Sequence, residues 1–531
     1  MNLKDFSHAL YLCKWSATAD RQDWRRNTWK EVLQFIFTVI SALVCIATFY
    51  ILASLWNDFD YINWFMFLQL GAYFHWHLTL FIIYSLFMLY ACLVFFSGLN
   101  ADWKDRHVTL SWINIIALVI FIIVDVVICV VLALFAADHL TLASVSYNIL
   151  GPFLHIVVIV LWASLVHYVT KLAYSNASIC LKLFAVSTYA IAFVALCSVP
   201  FLLSCPCISN NSTDLIKPKL IGHRGAPRLA PENTIMSFQK AIECSVFSLE
   251  TDVHISMDGV PFLMHDDTLL RTTDVASQFP SRKDQRSDSF LWAEIQQLNA
   301  GKWFVDTNPN LSNQYLSSFE KIEASNQRVP SFEEYVQIAK QNNKSIYFDL
   351  LRPPSDHPHR DDWVNITIET ILNTGINQEQ VLWLYSDYSS PIVNELAPNF
   401  TVLSPSFNNN ASQFGIQGVS AFYFETMYTD IRNAGKVISY VIREDWMLSW
   451  AWCQGVWAVI TNRPCELNEI SSPLYTMTQT NYIVMWVIIE LLAIIAIVIY
   501  VWKCKQFIHP ESDDASTVVI ELSQRSLPRI Y

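Results

Sequence analysis

The chain has 531 residues, 53% of them hydrophobic, and a positive mean hydropathy, which excludes one small soluble domain and calls for a membrane portion. A net charge of −12, with no basic stripe anywhere, excludes a nucleic-acid binder, which must neutralise phosphates with a cationic face. The twelve cysteines show no zinc-ligand spacing, and Cys205-Pro206-Cys207 is their one close pair.

Residues 1–31 carry Lys4, Lys14, Arg21, Arg25, Arg26 and Lys30 but no apolar core or cleavage site, so they are expected to be a cytosolic segment and not a cleaved signal. Five apolar stretches follow within 32–204, at roughly 32–55, 78–99, 111–135, 146–168 and 183–204, and a sixth lies at 482–502. Each has about the 20 residues a bilayer requires. Lys and Arg fall in 1–31, in 100–110 (Lys104, Arg106), in 169–182 (Lys171, Lys182) and at the start of the tail 503–531 (Lys503, Lys505). The short loops 56–77 and 136–145 have none, which predicts cytosolic termini and an external segment 205–481. Glycosylation patterns at Asn210, Asn211, Asn310, Asn343, Asn365, Asn399 and Asn410 fall in that segment, against Asn176 alone elsewhere. Its five cysteines, Cys205, Cys207, Cys244, Cys453 and Cys465, are an odd number, so at least one stays unpaired. Asp125 and Glu490 lie mid-span and read as interhelical hydrogen-bonding groups. The tail 503–531 is polar and aperiodic and is expected to be disordered.

Residues 215–470 have the length of a (β/α)8 TIM-type barrel, an α/β ectodomain inserted between the fifth and sixth transmembrane helices. Strands are predicted near 219–223, 247–254, 260–265, 345–350, 381–385, 401–405, 419–424, 436–442 and 456–461, one more than such a barrel needs. Helical spacing at 231–244, 331–342, 361–374, 426–434 and 445–453 supplies the alternation. Residues 267–330, rich in Ser, Asp, Asn and Gln, read as an insertion over the active rim.

Three apolar runs between 219 and 266 end in His223-Arg224-Gly225, in Glu250 and Asp252, and in His265-Asp266. Glu250 and Asp252, two apart on a strand, leave the same face and suit one hard divalent cation, Ca2+ or Mg2+. A third oxygen ligand should come from another strand, and Asp349 ends the run SIYFDL. His223 and His265 make an acid and base pair, with the two roles left open. Arg224 offers a planar fork for phosphate oxygens, and Gly225 allows close backbone approach.

This stretch resembles the glycerophosphodiester phosphodiesterase family, whose pattern is His-Arg-Gly, Pro-Glu-Asn-Thr, Glu-x-Asp and His-Asp in this order. Pro231-Glu232-Asn233-Thr234 is present intact, so Glu232, Asn233 and Asp266 join the site as supporting residues. The resemblance covers 215–470, and the flanking spans match the family's multi-pass membrane branch. It implies a plasma-membrane ecto-phosphodiesterase that hydrolyses glycerophosphodiesters such as glycerophosphoinositol or glycerophosphocholine, or else cleaves glycosylphosphatidylinositol anchors. Where the family usually has Glu and then Lys two residues on, this chain has Asp349 and Leu351, with Arg352 adjacent; Asn462 stands where Asp is commoner, and Tyr440 where Trp is frequent. The Asp349 and Leu351 departures support the competing reading, a catalytically weak barrel that binds a ligand or partner. Because a barrel's first strand and its returning helices start from the bottom, both tethers are expected on that face, with the rim turned away from the membrane.

Overall fold

The computed structural model describes residues 28–102, 110–135, 137–174, 178–203, 205–209, 215–384, 386, 389–407, 416–431 and 434–508. Most of the expected cytosolic segment, Lys104, Arg106, Asn176, Asn210, Asn211, Asn410 and the tail from 509 lie outside the described residues. The chain divides into two compact units, one of Met1–Ser146 with Leu215–Leu474, the other of Tyr147–Asp214 with Tyr475–Tyr531.

All nine expected strands form: β1 (Lys219–Gly222), β2 (Ser248–Ile255), β3 (Pro261–Leu263), β4 (Ser345–Leu350), β5 (Val381–Leu384), β6 (Thr401–Ser404), β7 (Gly418–Phe422), β8 (Lys436–Tyr440) and β9 (Ala458–Thr461). Eight run parallel and close into a barrel, because β1 pairs with both β2 and β9. The surplus strand is β3, which runs antiparallel to β2 with Val253 opposite Leu263 and Ile255 opposite Pro261. The link between them is a tight turn in which Gly259 adopts φ +85° and donates to the Ser256 carbonyl. A parallel crossover needs a dozen or more residues, so this turn permits a hairpin alone.

Ile221, Tyr347, Leu382, Leu403, Ile438, Ala458 and Ile460 fill the barrel interior. Outer helices start at the side chains that cap them: Thr234 accepts from the Ser237 amide, and Ser331 forms a reciprocal capping box with Glu334. The insertion buries a core of Leu269, Val275, Phe290, Ile295 and Leu298, packed on Phe262 of β3. Its composition predicts a loop; short helices and turns around these apolar residues replace it.

Also in the first unit, the long helices Thr28–Ser54, Trp76–Asp102 and Trp112–Phe135 share a core at Ala42, Cys45, Ala91, Val94 and Leu118. Asp125 is buried there, and the Cys45 thiol approaches its carboxylate at 3.7 Å, in line with an interhelical polar contact. The expected loop 56–77 instead contains the helix Phe59–Leu70, stopped by Gly71 in the left-handed region. In the second unit, Tyr482 donates to the Pro200 carbonyl at 2.7 Å, and Trp486 packs with Ile159.

Among the described residues five helical stretches are long and apolar enough to cross a membrane: Ile36–Leu70, Trp76–Gly98, Trp112–Leu134, Ile179–Leu202 and Gln479–Lys503. The expected span 146–168 is not among them, and the expected loop 136–145 largely forms the start of the helix Ala137–Ser164. Of the cysteines grouped above, Cys244 and Cys465 are bonded to each other, Cys207 and Cys453 are also in disulfides, and Cys205 is free.

Candidate active site

The rim is built where the strands end. In the pairing of β2 with β4, Asp252 lies opposite Asp349 and Glu250 opposite Tyr347, so all three carboxylates rise on one side of two adjacent strands. β2 continues past the rim, and β3 brings the chain back until the Met264 amide meets the Asp252 carbonyl at 3.0 Å. That return sets His265 beside the carboxylates. His223 follows β1 and donates its backbone N–H to Thr461 at 3.0 Å, next to Asn462.

The two histidines are held by different partners. His265 Nδ1 lies 2.7 Å from Asp266 Oδ1, whereas His223 Nδ1 makes a short hydrogen bond with the Asn462 side-chain oxygen. Arg224 sits among carboxylates: its Nη1 is 3.0 Å from Glu232, its Nε 3.3 Å from Asp252, and its backbone N–H donates to Glu250 at 2.6 Å. Its φ of +52° and that of Asn233, +55°, are left-handed conformations of non-glycine residues, the kind of local strain that collects at functional sites. Asn233 donates to Asp252 at 3.0 Å and accepts from Thr251 at 2.8 Å, so the Pro-Glu-Asn-Thr segment braces β2. Gly225 has no alternative, because a Cβ there would lie 2.4 Å from Ser237 Oγ.

The electrostatics follow from this crowding. Burial, then Asp252 and Asp349, push Glu250 well above the usual carboxylate range. Burial and then Asp252 push Asp349 up to about 6, although its side chain is open to solvent; a concave mouth walled by protein yet reached by water reconciles the two. Burial opposes ionisation of Asp252, but Arg224 overrides it and holds the group low. Burial and then Arg224 lower His223 to about 3, leaving it neutral. Burial and then Asp349 raise Tyr440 to about 12, so this phenol shares the mouth and stays protonated.

Sequence reasoning missed Arg271, which lies in the insertion. It forks to Asp266 at 2.7 and 2.8 Å and to Glu232 at 2.9 and 2.7 Å, and its side chain is buried. Against the cost of burial, Arg271 holds both carboxylates well below their usual range. Glu232 and Asp266 are therefore supports fixed by an arginine, not groups facing the mouth. Arg352 is exposed, and Leu351 half-buried.

Residues 223–382 match the family described as "Glycerophosphoryl diester phosphodiesterase family". Over 496 residues the chain is 32% identical to "Glycerophosphodiester phosphodiesterase domain-containing protein 5" of Gallus gallus, covering 92% of this chain and 82% of that protein. The chain belongs to the glycerophosphodiester phosphodiesterase family. As a member of it, the protein is a phosphodiesterase. It is also 34% identical to "Glycerophosphoinositol inositolphosphodiesterase GDPD2" of Homo sapiens, over 91% of this chain and 89% of that one. A solved phosphodiesterase of Oleispira antarctica, in complex with the product sn-glycerol-3-phosphate, aligns at 22% identity and a TM-score of 0.39, over 47% of this chain and 95% of that one.

Enzymes of the glycerophosphodiester phosphodiesterase family generally depend on a divalent metal. Among the described residues no three His, Cys, Asp or Glu side chains are gathered closely enough to hold one, and Arg224 engages Glu250 through its backbone N–H and Asp252 through its guanidinium. The donor chemistry nonetheless fits a hard cation: the burial and the repulsion from Asp252 that raise Glu250 and Asp349 are what such an ion offsets.

Two expectations are corrected. Asn310 is 8% exposed, donates to the Pro227 carbonyl and accepts from Arg443, which leaves no room for a glycan. Asn343, Asn365 and Asn399 are exposed. Nor does the rim turn away from the apolar helices. The helix Phe59–Leu70, between the long helices Thr28–Ser54 and Trp76–Asp102, lies against it, with the Trp64 ring edge-on to His265 at 5.7 Å.

Proposed function

We propose that this protein hydrolyses glycerophosphodiesters, glycerophosphoinositol foremost, by acid–base catalysis at His223 and His265. The carrying observation is that the two imidazoles have different acceptors. With an uncharged amide oxygen on Nδ1, His223 keeps its proton there and presents a lone pair on Nε2, the form of a general base. His265 has a carboxylate on Nδ1, which holds the ring by that nitrogen and assigns delivery of the acid's proton to Nε2. His223 takes the proton of the attacking hydroxyl, from water or from the substrate carbon next to the phosphate. His265 protonates the departing alcohol oxygen as its bond to phosphorus breaks. Arg224, whose buried Nε has no aligned hydrogen-bond acceptor, orients the phosphate. Glu250, Asp252 and Asp349 would hold the divalent cation, which when bound acts as a Lewis acid on a phosphoryl oxygen.

The apolar helices support a multi-pass membrane protein and the Cys244–Cys465 disulfide, which persists in oxidising compartments, supports an external barrel; two cytosolic termini and a plasma-membrane location follow if the helix Ala137–Ser164 crosses as well. A second reading, cleavage of lipid-anchored phosphodiesters, is favoured by the rim lying against the connection between two apolar helices. Purified full-length protein with divalent cation should release inositol phosphate with glycerol, or glycerol phosphate with inositol, from glycerophosphoinositol, and His265→Ala should abolish the release. No turnover of any glycerophosphodiester, with release of an anchored reporter from cells, would establish the second reading; neither activity would leave a binding barrel.

A further inference from the structure

We infer that the active site is incomplete without the segment between the first two apolar helices, and that its Asp60 is a positioning residue that acts on His223 through Asn462. This rests on the proposed role of His223 as base. Asn462 donates its side-chain N–H to Asp60 Oδ2 at 2.9 Å and presents its oxygen to His223 Nδ1. A primary amide has one acceptor end and one donor end, so whatever fixes one end fixes the other. The Asp60 carboxylate accepts only, which binds the NH2 end of Asn462 and commits the oxygen to His223. His223 Nδ1 must then carry the proton, and Nε2 is left to accept one. Without Asp60 the amide is free to turn over, offer N–H to Nδ1 and move the histidine proton to Nε2, where it blocks the base.

Asp60 is itself held in place. The buried Arg443 pairs with it, stacks over the Phe59 ring at 3.7 Å, and donates to the Asn310 side chain at 2.8 Å. Asn57 grips the same loop from both sides, accepting from the Arg443 amide at 2.8 Å and donating to the Val441 carbonyl at 3.0 Å. Tyr423 donates to Asp58 at 2.6 Å, and Tyr73 reaches the Pro309 carbonyl at 3.3 Å. The ends of β7, β8 and β9 and the insertion therefore all meet this one segment.

The test is a set of full-length variants assayed on glycerophosphoinositol. Asp60→Asn keeps the shape but offers Asn462 a neutral side chain that can itself turn over, and it should lower kcat by about 10–100-fold, the usual cost of losing an outer partner that orients a histidine. KM should stay within about threefold, because Asp60 does not touch substrate. Adding Asn462→Asp to Asp60→Asn replaces the amide by a side chain that can only accept, so Nδ1 keeps its proton without Asp60, and kcat measured at alkaline pH, where the imidazole is neutral, should return to within about fivefold of the parent. Adding Asp60→Asn to Asn462→Leu should cost nothing further, since the link is already cut. If Asp60→Asn alone folds poorly, Asn462→Leu, which keeps the Asp60–Arg443 pair, decides the matter: it should lower kcat by about 10–100-fold with KM within about threefold. Unchanged kcat in Asp60→Asn, no rescue by the double variant, or additive losses with Asn462→Leu would each overturn the relay. Activity in the parent that depends on His265 keeps that failure distinct from failure of the proposed reaction.

Discussion

Replacing Arg271 by Met tests how the rim is held. The guanidinium is bidentate to both Glu232 and Asp266, with side-chain exposures of 7%, 12% and 5% for the three groups. Methionine fills similar space and leaves Asp266 with His265 and Glu232 with Arg224 as their remaining partners. Removing one member of a buried ionic cluster costs about 3–5 kcal/mol, because the charges left behind stay desolvated. For a barrel of this size that corresponds to an unfolding midpoint lower by about 6–20 °C, at about 2–4 °C per kcal/mol. The pH dependence has a definite sign. Both carboxylates are depressed in the folded protein, so their contribution is complete above the ordinary carboxylate pKa of about 4 and is lost as pH falls through the depressed values. Without Arg271 the depression weakens. The gap between parent and variant should be widest at pH 7 and narrow below about pH 4. Scanning fluorimetry of the detergent-solubilised protein at several pH values measures it. A midpoint loss under about 3 °C at neutral pH, or a gap that does not narrow on acidification, would refute the clamp.

Glu250→Gln and Asp349→Asn should each weaken divalent-cation activation and raise the cation concentration for half-maximal rate by about tenfold or more, since each removes a hard anionic donor; full activity in excess chelator would remove the metal from the mechanism. Replacing Cys244 and Cys465 together by Ser opens a link across 221 residues and should cost about 2–5 kcal/mol, read as a lower unfolding midpoint. Asn365→Gln and Asn399→Gln should each increase gel mobility of protein from glycosylating cells, whereas the buried Asn310→Gln should leave it unchanged. A shift with Asn310→Gln would show that the Arg443 contact is not formed when glycans are added.

The strand pattern is legible in the chain because short apolar runs bounded by turn residues report local structure directly, and the motif residues sit at the ends of those runs. What a run cannot report is direction. β3 has the composition of a barrel strand, and the brevity of Ser256–Val260, with its Asp258-Gly259 turn pair, was the available sign of a hairpin. Arg271, Asp60 and Asn57 are hidden for another reason: each meets the site from a distant part of the chain, with no periodicity around it. Asn57, Asp58 and Asp60 do interrupt an apolar stretch that the candidate span Ile36–Leu70 covers with 35 residues. That length exceeds what a bilayer takes up, and three polar groups past its first half are costly to leave in lipid; together they mark a segment that belongs to something else.

The hairpin of β2 and β3 also determines where the chain leaves and rejoins the barrel. The Leu263 amide donates to the Pro330 carbonyl at 3.1 Å, and Phe262 bridges to Ser331, so the insertion begins and ends at neighbouring points. A segment with adjoining ends and its own apolar centre is a graft that can be exchanged or lengthened at little entropic cost to its host, since closure entropy grows only as the logarithm of length. A transplanted version must still deliver a guanidinium to the position of Arg271, or the recipient inherits two buried anions. Chimaeras that trade residues 267–330 between relatives should therefore sort by that single side chain before any effect on substrate choice is seen.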